Sequence, residues 1–190
     1  MSTCFQMAGF ALASESGGTG WNSTVSKCPD IFAAAASGRS SRSLLIRKLW
    51  QEPVVEYEDS DHRIDRAGIL PRPKRQIPIW LGGSSEAAFD RAARIADGFL
   101  FGGRTQSQAI QIKGKIEAKL TALGRDHSAF GFESIQQYSR GDNQWPGDIA
   151  AWREAGGSHI SVVTMGANLT TVDGHIEAIK RWRDVYNSVR

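Results

Sequence analysis

From Ile77 onward the sequence alternates short runs of strand character with amphipathic stretches of helical length. That alternation restricts the fold more than any other feature. Ile77–Leu81, Phe99–Phe101, Phe130–Tyr138 and Ile160–Thr164 read as strands. Between them, Ser84–Ala96 carries Ala88, Phe89, Ala92, Ile95 and Ala96 on one helical face. Gln106–Leu123 does the same with Ala109, Ile112, Ile116, Leu120 and Leu123. Trp145-Pro146 opens a helix with proline at a permitted first position, Ile149, Trp152 and Ala155 along its apolar side, and Gly156-Gly157 at its end. A last helix starts at Thr170 or Thr171, where Thr170 and Asp173 have capping-box spacing. Its expected apolar face is Val172, Ile176, Ile179, Trp182, Val185 and Val189. Strands separated by helices imply βαβ units and a parallel sheet. The fold class is α/β, and the alternation leaves open whether the sheet is flat-edged or closes into a barrel.

Upstream the pattern changes. Residues 1–43 are rich in Ser, Ala and Gly and contain no convincing strand, so the chain divides into an atypical segment, 1–43, and a regular one, 44–190. Leu44, Leu45, Lys48 and Leu49 read as the end of an amphipathic helix, closed by Trp50 and broken near Pro53. Val54–Tyr57, a polar turn at Asp59-Ser60-Asp61, and His62–Ile64 form an expected small hairpin. Pro71, Pro73 and Pro78 keep the next connection extended.

Several function classes fall away. A net charge of +3, with sixteen arginines scattered among acids, gives no basic stripe, so no nucleic-acid partner is expected. No apolar run reaches the ~20 residues that span a bilayer, and the N-terminal stretch lacks a basic n-region, so no membrane association is expected. Cys4 and Cys28 have no CxxC spacing and read as free thiols, which favours a cytoplasmic location. His62, His127, His159 and His175 are too dispersed for a metal motif, so no metal site is expected. GxSxG, Walker and GxGxxG patterns are absent, and no catalytic side chain stands out.

Ligands of α/β proteins bind where strands end and helices begin. The best such loop is Trp80-Leu81-Gly82-Gly83-Ser84-Ser85-Glu86-Ala87. Two glycines allow a sharp turn and close backbone approach, Ser84 or Ser85 can cap the helix, and the free amides with the helix dipole favour a phosphate. Glu86 would oppose an anion unless its side chain turns away, and a tight turn with an ordinary cap explains the same residues. Phe101-Gly102-Gly103-Arg104-Thr105 is a second loop of this kind, in which Arg104 either contacts a phosphate or faces solvent. Thr164-Met165-Gly166-Ala167-Asn168 ends the last strand and could contribute wall contacts.

The run Leu49-Trp50-Gln51-Glu52-Pro53-Val54-Val55-Glu56-Tyr57, then His62-Arg63-Ile64, then Pro71-Arg72-Pro73, then Ile77 to Ala88, and Arg91 to Gly98, resembles the luciferase-like monooxygenases. Gly157 to Gly166 continues the likeness, which is strongest to the branch dependent on the deazaflavin coenzyme F-420. Further upstream, Gly18-Thr19-Gly20-Trp21-Asn22 is similar to the family's glycine–tryptophan loop, although the glutamate usual after it is missing from Ser23–Lys27. The resemblance implies a partial (β/α)8 TIM barrel lacking the N-terminal strands, since a whole one needs ~250 residues. It implies hydride transfer between coenzyme F-420 or FMN and a small-molecule organic substrate, with monooxygenation in the flavin branch. Gly82, Gly83, Ser84 and Ser85 would then hold the cofactor phosphate, and Thr19, Trp21 and Asn22 would lie near the ring or its tail. The rival reading is a non-catalytic barrel remnant, or a half-barrel that depends on a partner, whose exposed sheet edges would favour a homodimer.

Overall fold

The computed structural model describes residues 42–189. A helix over residues 42–51 (α1) leads to an antiparallel hairpin of β1 (Val55–Glu58) and β2 (Arg63–Ala67). Asp59 builds the turn between them. Its Oδ1 accepts the backbone amides of Asp61 and His62 at 2.8 and 2.6 Å, and its Oδ2 accepts the Tyr57 hydroxyl at 2.7 Å. The Tyr57 hydrogen bond, followed by the two amides, holds the Asp59 carboxyl far below the usual carboxylate range. The register shifts between Val55 and Tyr57, so the hairpin carries a bulge, and β2 runs three residues beyond the expected Ile64.

The rest is a βα alternation: β3 (Trp80–Gly82), α2 (Glu86–Ile95), β4 (Gly98–Phe101), α3 (Gln106–Ala122), β5 (Gly131–Gln137), α4 (Trp145–Glu154), β6 (His159–Val163) and α5 (Val172–Ser188). The four strands are parallel and lie in chain order, β3-β4-β5-β6. Crossovers of one hand, always stepping in the same direction, place successive helices on the same face. Packing bears this out. Phe99, Phe101 and Phe132 are buried with Phe89 and Ala92 of α2, Ile112, Ile116 and Leu120 of α3, and Trp152 of α4. Ile160 and Val162 join a second cluster with Trp145, Ile149 and Trp182.

The opposite face carries the alternate residues. β5 shows the period plainly: Phe132, Ser134 and Gln136 are buried, while Gly131, Glu133, Ile135 and Gln137 are only half-buried. In the core the Ser134 hydroxyl donates to Gln106 Oε1 at 2.9 Å and the Trp182 indole donates to Gln136 Oε1 at 2.8 Å, while the amide nitrogens of both glutamines are buried without a partner. On the other face the Trp80 indole lies across two neighbouring strands. A Cβ on Gly98 or Gly131 would sit 2.4 or 2.2 Å from its ring atoms, so only glycine fits at those two positions. The indole meets His159 edge-on, 4.9 Å between ring centroids. Register aligns Gly82, Leu100, Glu133 and His159 in one row above it.

Four expectations are corrected. The strand expected at Ile77–Leu81 is Trp80–Gly82, because Pro78 has no amide and the Ile79 amide is taken by the Asp97 carboxylate at 2.7 Å. Residue 123 lies at the C-cap of α3, so Leu123 is 49% exposed instead of joining the core. The cap of α5 is Thr171, whose hydroxyl accepts the Gly174 amide at 3.1 Å, and the Thr170–Asp173 box does not form. Finally, of the expected apolar face of α5, Trp182 is buried and Val185 and Val189 pack beside it, whereas Val172, Ile176 and Ile179 are exposed and Ala178 is buried as well. Among the described residues α5 packs on α4 and, through Trp182, against β5 and β6, which leaves Val172, Ile176 and Ile179 uncovered. No helix among the described residues is long and apolar enough to cross a membrane.

Candidate functional site

Because the strands are parallel, their carboxyl ends gather the loops that lead into α2, α3, α4 and α5 at one end of the sheet. Gly82 is the last residue of β3, and Gly83 adopts φ +151°, a conformation that side-chain-bearing residues rarely take. The turn lets Ser85 cap α2: its Oγ accepts the Ala88 amide at 3.2 Å. Ser84 stays exposed beside it. The amides of Glu86 and Ala87, in the first turn, have no acceptor within the helix, which leaves the positive end of the helix dipole at the turn.

The second loop converges on the first. Gly103 takes φ +66° after β4, and Thr105 caps α3 in a reciprocal box with Gln108. Between them, Arg104 reaches back so that Nη2 donates to the Gly83 carbonyl at 3.3 Å. A guanidinium and two helix amides without an intrahelical acceptor therefore flank one glycine turn. The anticipated obstacle, Glu86, is turned away: its carboxylate pairs with Lys115 at 2.7 Å and Lys119 at 3.3 Å on α3. The Lys115 hydrogen bond is the chief reason its carboxyl is held below the ordinary range, with Lys119 adding to it. Lys119 is also bound to Asp90 at 2.6 Å, which with Glu86 raises its own affinity for a proton.

The remaining strand ends contribute polar groups. After β6, Gly166 (φ +75°) and Asn168 (φ +55°) bend the third loop, Met165 is 75% exposed, and the Thr164 hydroxyl lies 2.7 Å from His175 Nδ1 on α5. The sequence reading set His175 aside as a metal ligand and missed this pairing, which only the return of α5 creates. It also missed the floor made by Trp80. The available signal was a glycine opening each of two successive strands, Gly98 and Gly131. Thr19, Trp21 and Asn22 lie outside the described residues. Among the described residues no group of three or more His, Cys, Asp or Glu is close enough to hold a metal. As it stands, the arrangement can hold an anion at a strand-to-helix turn, above a sheet face bearing an indole, a carboxylate and an imidazole.

The model of the luciferase-like monooxygenases matches residues 44–145, just over half of the sequence. Over 56 residues the chain is 45% identical to the F420-dependent glucose-6-phosphate dehydrogenase of Nakamurella multipartita, covering 30% of this chain and 16% of that protein. Over 77 residues it is 30% identical to the FMNH(2)-dependent dimethylsulfone monooxygenase of Pseudomonas fluorescens, covering 38% of this chain and 21% of that one. The chain thus matches about a fifth or less of the length of these two relatives. In three dimensions it superposes on the coenzyme F420 dependent tetrahydromethanopterin reductase of Methanopyrus kandleri with a TM-score of 0.60 and 13% identity, over 82% of this chain and 64% of that one. The sequential parallel sheet with its glycine turn after β3 and the family match over residues 44–145 lead to one assignment: the chain belongs to the luciferase-like monooxygenase family.

Proposed function

We propose that residues 44–190 are the C-terminal part of a (β/α)8 barrel that binds the phosphate-bearing coenzyme F-420 or FMN for hydride transfer to or from a small organic molecule. The observation that carries this reading is the Arg104–Gly83 hydrogen bond, which draws two glycine loops together at the start of α2. The residues present fit such a group. A Gly83 with φ +151° leaves room for close approach, the first-turn amides of α2 point their hydrogens outward, and Glu86 is neutralised by Lys115 and Lys119. Gly82, Gly83, Ser84 and Ser85 would cradle the phosphate, Arg104 would add a charge-assisted hydrogen bond, and Thr19, Trp21 and Asn22 would approach the ring or tail. When bound, the flavin or deazaflavin supplies the hydride chemistry. The protein's part is to orient the cofactor and to shield one side of it with the sheet face that carries Trp80, Leu100 and Ile135.

The test is a fluorescence titration of the full chain with coenzyme F-420 and with FMN, separately. Micromolar binding that weakens about tenfold, or ~1.4 kcal/mol, in Arg104→Ala is the expected result. A folded sample that binds neither cofactor at high micromolar concentration would overturn the reading.

The exposed row Val172, Ile176 and Ile179 on α5 favours a second reading, a partner-dependent half-barrel without activity of its own. Size-exclusion chromatography with circular dichroism separates the two: a helical, monodisperse monomer that binds cofactor rules out dependence on a partner.

A further inference from the structure

At the other end of the strands, next to the residues that enter β3 and β4, lies a cleft of about 410 Å³ between α1 and the segment leading to β3. Its volume is that of a small-molecule site. Arg47, Arg72, Lys74 and Arg75 line it, together with Trp50 and Ile77, and no acidic residue does. Arg47 is anchored: Nη2 donates to Asp97 Oδ2 at 2.6 Å and to the Ile95 carbonyl at 3.1 Å. Its other terminal nitrogen, Nη1, is buried and has no acceptor. A buried guanidinium N–H without a partner is uncommon and marks a place where a water or anion is wanted. Arg72 Nη1 donates to the Gln51 carbonyl at 3.0 Å, which ties the segment to α1 without consuming its charge. Among the described residues no carboxylate lies within ion-pair distance of Arg72, Lys74 or Arg75.

Three uncompensated cations around one cleft repel each other unless a counter-charge enters. The guanidinium forks of Arg72 and Arg75 suit phosphate oxygens, and the indole of Trp50 with Ile77 offers an apolar wall for an organic body. We infer that this cleft is a second anion site, which takes a small organic di- or triphosphate. It is independent of the cofactor turn, because Gln76 and Ile77 precede β3 whereas Gly82 ends it and Gly83–Ser85 follow it.

The experiment is isothermal titration of the full chain with inorganic pyrophosphate, with adenosine triphosphate and with a short single-stranded oligonucleotide. Lys74→Glu/Arg75→Glu is the main variant, because both positions are exposed and neither supports the core. Pyrophosphate and the nucleotide should both bind, the nucleotide more tightly. The double variant should raise both dissociation constants at least about tenfold and flatten their dependence on salt. Its circular dichroism and its affinity for FMN or coenzyme F-420 should be unchanged. The inference fails if neither phosphate binds, or if the double variant binds as wild type does. It also fails if Arg104→Ala, and not the double variant, abolishes pyrophosphate binding, which would put the anion at the cofactor turn. Tighter binding of the oligonucleotide than of the nucleotide would overturn it in favour of a nucleic-acid surface.

Discussion

Glycine–aromatic packing sets the shape of the open sheet face. Trp80 can lie across β4 and β5 only because Gly98 and Gly131 present no side chain beneath it. Gly131→Ala would push a methyl group to 2.2 Å from the indole, in contact with ring atoms that cannot yield without the strand. Overpacking of this kind costs about 1–3 kcal/mol, so urea denaturation should show a loss in that range. Pairing it with Trp80→Ala should recover part of the loss, since the clash is then removed. The same scale holds the candidate site. Arg104 donates through one terminal nitrogen to a neutral carbonyl, so its charge stays available to a ligand. Arg104→Lys should keep part of the cofactor affinity that Arg104→Ala loses, because a lysine retains the charge without the fork.

Turns and caps decide whether each element forms. In the hairpin, Asp59 is ionised well below the usual range because the Tyr57 hydroxyl and two amides bind its charged form. A carboxyl depressed in the folded state stabilises that state above its unfolded value, near ~4, and the contribution fades as pH falls below that toward the folded value. The stability difference between wild type and Asp59→Asn should therefore be constant from neutral pH to about 5 and shrink on further acidification. Equal differences at pH 3 and pH 7 would exclude this account. At α5 the single hydroxyl of Thr171 caps the helix. Thr171→Ala should cost about 1 kcal/mol in thermal or urea unfolding, whereas Thr170→Ala should cost little. The spacing Thr170–Asp173 had pointed to the wrong threonine, because capping depends on which backbone leaves the helical region first. Thr171 has extended dihedrals (φ −124°, ψ 152°) and so takes the role. By contrast the hairpin turn, α2 with Ala88, Phe89 and Ala92, and α3 with Ile112, Ile116 and Leu120 were legible, since local turn chemistry and apolar period suffice there.

Across the whole molecule, a sheet whose helices lie on one side must leave its other face to water or to more protein. Under the partial-barrel reading, Ile135 lies on that open face, where it is half-buried. Ile135→Lys should then cost no more than about 1 kcal/mol, as a surface change does. A loss of several kcal/mol would mean that the face is covered, since an unpaired buried ammonium is far more costly. The uncovered stripe on α5 has the same origin. Its heptad-like spacing made Val172, Ile176 and Ile179 look like core, but burial needs an adjacent element, and α4 lies only on the other side. The candidate site divides similarly. Gly82, Gly83 and Ser85 could be picked out as a strand-to-helix turn, while the approach of Arg104 and the diversion of Glu86 to Lys115 and Lys119 could not.

The sequence by itself determined the α/β class, the number of strand–helix units from residue 77 on, and the glycine turn between β3 and α2. Those follow from side-chain period and from backbone freedom, which act over a few neighbouring residues. Tertiary structure alone decided the sequential strand order, the single helical layer, and the Trp80 floor. It also made the basic cleft beneath α1. Each of these depends on residues tens of positions apart meeting in space, and no local spacing encodes that meeting.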